Sequence, residues 1–221
     1  MRSYRAALAG WPILLVAGIA LCGCRDSSQG LNASDAEDRR KALAALAKED
    51  SESAAEKVSK MVGHEDLATA GDAVWALGRM TNPRATEVLR QVALRDARPK
   101  IRCEAAVVVG QRRSEASVKV LRQMVQTDQS PDVRAEAAAS LGNVGSVADI
   151  DVLVGAVESA SAPQDLPVES RAMGAIERLV GVTFYYDPKA LPAERRKAID
   201  RMRMVARAAA ASFPKKDEKR E

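Results

Sequence analysis

The sequence predicts an all-α fold, an α-solenoid of about four to five helix pairs closed by a C-terminal capping helix. Three observations predict it. Of the 221 residues, 41 are alanine and only 3% are aromatic. That balance suits close-packed helices and not strands, which favour branched and aromatic side chains. Several independent positions recur about every 32 residues, the mark of stacked repeats. Within each unit the apolar residues follow a 3.6-residue period.

The period is visible in three stretches: Glu87-Val-Leu-Arg-Gln-Val, Lys119-Val-Leu-Arg-Gln-Met and Asp151-Val-Leu-Val-Gly-Ala. Val88, Val120 and Val152 are 32 residues apart, as are Pro99 and Pro131, and as are Gly78, Gly110 and Gly142. A second series runs through Leu46, Leu77, Val109, Leu141 and Ile176 with spacings of 31, 32, 32 and 35. A Ser/Ala/Pro loop near 159–167 lengthens the last step. Each unit divides into two short helices. The first carries Val118, Leu121, Met124 and Val125 on one face; the second carries Val133, Ala137, Ala138, Leu141 and Val144.

Taken in order, helices are expected over about 35–48, 53–62, 66–79, 84–95, 99–111, 115–126, 131–143, 147–158, 167–180 and 192–211. Ser34-Asp-Ala-Glu37 has capping-box spacing for the first. Pro131 opens its helix where a missing N–H costs nothing, and Asp132 complements the positive end of the dipole. Gly142 and Gly145 suit a helix exit. Ala42, Ala73, Ala105 and Ala137 share one repeat position, where a small residue lets helices approach closely. Val182-Thr-Phe-Tyr-Tyr-Asp187-Pro188 breaks the pattern. The helix after it places Ala198, Met202, Val205, Ala209 and Phe213 on one face, as a closing cap would.

The stretches Asp132-Val133-Arg134-Ala-Glu-Ala-Ala-Ala-Ser-Leu141-Gly142, Lys100-Ile101-Arg102-Cys-Glu-Ala-Ala-Val-Val-Val109-Gly110 and Asp72-Ala-Val-Trp-Ala-Leu77-Gly78 carry a family likeness. The chain there resembles HEAT repeats, in particular the short HEAT-like repeats named after phycobilisome lyases, over residues 35–181. The resemblance implies a solenoid and implies that Arg102, Arg134 and Asp132 serve the repeat ladder; it implies no activity. The last unit departs from the pattern, with Glu169 in place of arginine and Glu177 in place of glycine, as terminal caps do.

Residues 1–23 read as an export signal. Arg2 and Arg5 precede an apolar run of about Leu8 to Leu21, too short for a spanning helix of about 20 residues. The run ends Leu21-Cys22-Gly23-Cys24. This resembles the bacterial lipoprotein lipobox, which implies an acylated Cys24 held in the cell envelope facing the periplasm or exterior. Two or more acyl chains anchor stably, at about 0.8 kcal/mol per buried CH₂. An ordinary cleaved signal peptide and a retained anchor helix are the alternatives. Residues 24–34 are expected as the lipidated cysteine and a tether, 182–212 as an aromatic loop and capping helix, and 213–221 as a charged tail.

Removing residues 1–23 lowers the net charge from +4 to +2. The positive charge gathers at 189–221, which carries 11 basic and 5 acidic residues. So small a net charge gives no ground for nucleic-acid binding, and so few aromatics leave no ring platform for bases or sugars. His64 is the one histidine, which argues against a histidine-rich metal site and a Ser-His-Asp triad. With Cys24 acylated, Cys103 has no disulfide partner and reads as a small core residue. No phosphate loop, nucleophile elbow or dinucleotide glycine motif occurs, so no catalytic residue, metal or cofactor is expected. Trp75 and Val107 share one repeat position off the core line and are expected on the concave, partner-binding surface. The functional expectation is a non-catalytic, membrane-tethered scaffold or adaptor for a protein partner. The alternatives are a bilin-lyase-like or other modifying-enzyme accessory, and a structural envelope protein that binds anionic surfaces through its basic C-terminal helix.

Overall fold

The computed structural model describes residues 30–160 and 163–212. The export signal, Cys24 and the charged tail lie outside the described residues. Among the described residues ten α-helices follow one another: α1 (Ala36–Glu49), α2 (Glu52–Val62), α3 (Leu67–Arg79), α4 (Pro83–Arg95), α5 (Pro99–Gln111), α6 (Glu115–Thr127), α7 (Pro131–Val144), α8 (Ile150–Ser159), α9 (Leu166–Val180) and α10 (Pro192–Ser212). Short 3₁₀ turns at Val147–Asp149 and Pro163–Asp165 lead into α8 and α9.

The starts of these helices follow local chemistry. Asp35, Ser51, Asp66, Asn82 and Ser114 each accept a backbone N–H of the following turn, which satisfies donors the helix itself leaves open. For α1 the capping oxygen comes from Asp35, not Ser34. Pro83, Pro99 and Pro131 stand at the helix starts, where their fixed φ suits the first turn. The expected tether ends early: Leu31 is buried in the core, and Arg39 donates to the carbonyls of Ala33 and Ser34. An apolar side chain close to the open end of α1 is drawn into the core, and the segment around it is bonded down.

The helices form two layers. The odd-numbered helices α1, α3, α5, α7 and α9 pack side by side in chain order, and α2, α4, α6, α8 and α10 form the second layer. The closer antiparallel pairs are α2–α3, α4–α5, α6–α7 and α8–α9. The solenoid therefore begins with an unpaired odd helix and ends with an unpaired even one. One continuous core runs between the layers, including Leu46, Leu77, Leu121, Leu141 and Ile176. Ala73, Ala105, Ala137 and Ala172 are wholly buried at one repeat position. Ala172 belongs to the series although the lengthened loop displaces its spacing.

Gly78, Gly110 and Gly142 do not end their helices; each is inside one. Their role is close approach. A Cβ at Gly142 would stand 2.5 Å from Ala175 Cβ and 2.6 Å from Ala175 Cα, on the next odd helix. A Cβ at Gly78 would stand 2.2 Å from Val108 Cγ1, and one at Gly110 would stand 3.0 Å from Ser140 Cβ. The same two positions meet at these three junctions, whereas α1 carries Ala47 at the glycine position. Glu177 occupies this position in α9, where no further odd helix follows among the described residues, so a side chain is allowed. Gly145, which does follow α7, has φ −74 and so needs none of glycine's left-handed freedom.

The segment after α9 turns back on the last pair. Gly181 ends α9 at φ +70, a conformation glycine adopts without strain. Phe184 is buried, its N–H donates to Glu177 Oε1 at 2.6 Å, and its carbonyl accepts from Arg201 on α10. Ala198, Met202 and Ala206 are the buried stripe of α10.

Gly142→Ala should destabilise by about 1–3 kcal/mol through overpacking against backbone. Gly155, exposed in α8 with nothing within 4 Å of a Cβ, is the contrast. Gly155→Ala should stabilise by about 0.4–1 kcal/mol by restricting the unfolded chain. Urea midpoints of the two variants should therefore move in opposite directions from the parent; movement of both the same way would refute the close-approach account.

Candidate functional site

The outward face of the odd helices carries three parallel rows, one position from each repeat. The middle row is Ala44, Trp75, Val107, Ala139 and Gly174. Trp75 is 40% exposed, Val107 is partly exposed, and Ala139 is buried. The two expected partner-binding residues thus stand in neighbouring helices of one face. Trp75 lines a hollow with Leu43, Ala44 and Ala76, rimmed by Arg40, Asp72 and Arg79. A second hollow beside Val107 includes Gln111, Glu136, Asn143 and Arg178.

On one side of this row stand Asp72, Glu104 and Glu136. Arg40 Nε donates to Asp72 Oδ2 at 2.7 Å. Glu104 lies across to α3, where its Oε2 would be 2.1 Å from a Cβ at Gly71. Burial pushes the Glu104 carboxyl above its ordinary value; Lys100 pulls against that shift and Asp72 adds to it. On the other side stand Arg79, Gln111, Asn143 and Arg178.

The arginine series lies along one loop edge. Arg102 grips Asp128 with Nε at 2.7 Å and Nη2 at 2.8 Å, and Nη1 donates to the Asp96 carbonyl at 2.7 Å. Arg134 reaches the carbonyl of Asp128 and Asp165 Oδ1. Arg39 makes the matching bond to the carbonyl six residues before it and also reaches Thr69. Ala70 interrupts the series, and Arg98 bridges that gap by donating to the carbonyls of Val62 and His64. These guanidinium groups tie unit to unit. Asp132 stands in the first turn of α7, but the acceptors of the ladder are Asp128 and Asp165 in the loops, which the guanidinium groups reach bidentately or through loop carbonyls.

Glu169, in the arginine position of α9, is buried and accepts the Tyr186 hydroxyl at 2.5 Å, with Arg195 Nη1 at 3.9 Å. His64 Nδ1 accepts the Asp66 N–H at 3.0 Å. Burial, reinforced by Asp132 and Glu136, pushes the half-buried Cys103 thiol up to about 11, so it is a poor nucleophile at neutral pH. Among the described residues, no group of three or more His, Cys, Asp or Glu side chains could hold a metal. Sequence reasoning did not single out Glu104, Arg98 or the Glu169–Tyr186 pair. Gly71 beside Trp75 was the available signal for Glu104, and Arg98 before Pro99 was the signal for the bridged gap.

Two stacked layers of repeated helix pairs define the class: an α-solenoid repeat protein. The profile described as HEAT repeats matches residues 28–98 and 86–165, more than half the chain, and the protein belongs to the HEAT-repeat family. No curated protein matches the sequence. Among solved structures, the chain is similar to a designed armadillo repeat protein in complex with the peptide (KR)4, at 17% identity and TM-score 0.43, over 85% of this chain and 98% of that one.

The Arg102–Asp128 pair is nearly buried, with 12% and 7% side-chain exposure. Removing one partner of such a pair strands the other charge, so Arg102→Leu should cost about 3 kcal/mol in urea unfolding. An unchanged midpoint would refute a structural role. Burial, and next the bond to Glu169, hold the proton on Tyr186 above the ordinary phenol range. The folded chain then keeps a proton that the unfolded chain releases. That contribution is full below about pH 10 and is lost as pH rises further. Tyr186→Phe should cost about 1.5–3 kcal/mol at neutral pH by deleting a bond to a charged acceptor. It should also flatten the alkaline loss, as measured by urea midpoints on either side of about pH 10.

Proposed function

We propose that this protein is a non-catalytic interaction scaffold held on a bacterial envelope membrane by acylated Cys24, with the odd-helix face as the surface that binds a protein partner. The observation that carries the reading is Trp75, a large aromatic side chain 40% exposed on a rigid repeat surface. Aromatic anchors of this kind supply much of the binding energy where a partner covers them. The α-solenoid supports the reading because it offers one extended, regular face. The lipobox-like Leu21-Cys22-Gly23-Cys24 supports the tether. Among the described residues no helix is long and apolar enough to cross a membrane, so attachment through these residues would need another device.

A second reading rests on α10. Arg196, Lys197 and Arg207 are exposed on it, as are Met204 and the preceding Leu191. Basic groups beside apolar ones suit an anionic lipid or wall-polymer surface, at about 1 kcal/mol per basic residue close to the charged layer.

Fractionation and crosslinking of native membranes test both. Cys24→Ala should move the protein out of the membrane fraction, and Trp75→Ala should remove one near-stoichiometric crosslinked protein while the membrane association stays. Retention of Cys24→Ala in the membrane would overturn the lipid tether. A partner set unaltered by Trp75→Ala would overturn the surface assignment, and salt-sensitive binding to anionic vesicles would then favour α10.

A further inference from the structure

The outer face of α10 is exposed and mostly basic. Ala198, Met202 and Ala206 bury its inner face. The opposite stripe, at helical spacings of three and four, is Arg196, Lys197, Asp200, Met204 and Arg207. Met204 stands within it, 66% exposed. The side chains of Arg196, Lys197 and Arg207 make no hydrogen bond or ion pair among the described residues. Asp200 is answered by Arg203 at 3.1 Å, and Arg203 also donates to Glu158 at 2.9 Å. The whole helix carries six basic residues against Glu194 and Asp200. Leu191, just before α10, is exposed, and Tyr185 is 83% exposed. Tyr185 holds a left-handed φ of 54°, which is uncommon for a bulky residue. Its neighbours hold it there: Phe184 is bonded to Glu177 and to Arg201 of α10, and Tyr186 to Glu169. The peptide from Phe184 to Tyr185 is thus fixed against α10 while Tyr185 itself stays in solvent.

We propose that this stripe lies on an anionic phospholipid surface, with Met204 set into the headgroup layer, as a membrane contact separate from the acyl group on Cys24. The contact rests on the second functional reading above and gives it one occupant. Cationic groups on a helix draw it to anionic headgroups, and apolar side chains on the same face enter the boundary with the acyl chains. A tyrosine suits that boundary, because its ring is apolar and its hydroxyl stays wet.

Charge and apolarity together select lipid. Residues 24–188 carry 21 basic and 25 acidic side chains, so an anionic surface repels the rest of the chain and attracts this end. A wall polymer answers the cations but has no hydrocarbon in which Met204 and Leu191 lose water. α10 closes the end of the solenoid opposite α1. A chain held at Cys24, ahead of α1, and again at α10 lies along the membrane. The acyl group supplies residence there, and the linked second contact forms at high effective concentration and supplies orientation.

Vesicle sedimentation tests this with the unacylated chain from Cys24 to Glu221, which holds every residue of the fold. The probes are vesicles of phosphatidylglycerol and phosphatidylcholine in equal parts, and vesicles of phosphatidylcholine alone. The chain should bind the anionic vesicles, more weakly as salt rises, and not the neutral ones. Arg196→Gln, Lys197→Gln and Arg207→Gln should each weaken binding about fivefold, equivalent to about 1 kcal/mol. Met204→Ser should weaken it to a similar degree. Lys60→Gln, exposed on α2 near the other end, should leave it unchanged. No binding to the anionic vesicles, equal binding to both kinds, no effect of the α10 substitutions, or an equal effect of Lys60→Gln would each overturn the proposal. Dextran sulfate, a polyanion without hydrocarbon, separates lipid from the broader reading. If the chain binds dextran sulfate but not the vesicles, or if Met204→Ser leaves vesicle binding unchanged while the basic substitutions weaken it, the lipid assignment falls and the anionic-surface reading stands. If it binds neither, both fall.

Discussion

The near-contact of consecutive odd helices at Gly78, Gly110 and Gly142 governs the rest of the structure. Each glycine admits a residue of the next odd helix, Val108, Ser140 or Ala175, into space that a Cβ would crowd, most severely at Gly142. This close approach, to the backbone itself only at Gly142, fixes both the spacing and the rotation of successive units, because interiors packed to crystal-like density cannot slide. Once that contact is set, every other repeat position falls into register. The alanine series Ala73, Ala105, Ala137 and Ala172 then sits wholly inside. A solenoid has no distant contacts to compensate for a bad junction, so stability is close to a sum over neighbouring units. Uniform junctions follow from that additivity.

The loop edges convert the same register into hydrogen bonds. Arg39, Arg102 and Arg134 each donate to the carbonyl six residues earlier, which closes their own loop, and then reach forward to the next unit. On the opposite edge Asp50 accepts from Thr81 and Asn82, and Arg112 donates to the carbonyls of Leu77 and Met80. Exposed ion pairs contribute little, but these groups satisfy backbone carbonyls that would otherwise be stranded at helix ends. The last unit shows what happens when the forward neighbour is missing. Its arginine and glycine positions become Glu169 and Glu177, and both carboxylates turn to the returning segment, one to Tyr186 and one to Phe184. Two departures from the repeat thus form one capping device.

Repetition made much of this legible. A position that recurs every 32 residues announces a shared environment, so the helices, the buried alanines and the closing helix could be located from the sequence. The reason for a recurring residue was harder to see. A glycine near a helix end suggests a cap, whereas here it marks the crossing with another helix whose identity depends on packing. The acceptors of the arginine ladder were hidden because the loops vary in length: Asp128 follows Arg102 by 26 residues and Asp165 follows Arg134 by 31. Arg98 was hidden because it stands in for a neighbour's absent arginine instead of repeating. Glu104 recurs in type as Glu136, yet its contact with Gly71 exists only in the second and third units.

That contrast bears on function. Positions that form the junctions are held to small residues, Ala47, Gly78, Gly110 and Gly142 in successive odd helices, because the junctions share one geometry. Positions on the outward odd-helix face are less tightly held by the junctions and are freer to differ. They do differ: the middle row runs Ala44, Trp75, Val107, Ala139, Gly174, while the alanine row beneath it does not change. Packing demands neither an indole at 75 nor a glycine at 71, since the equivalent residues elsewhere are smaller in the first case and larger in the second. The two exceptions are one turn apart on α3, and Glu104 fills the space the second creates. An exposed indole that the repeat packing does not require is the departure from uniformity that the interaction reading explains, through contact with something outside the chain.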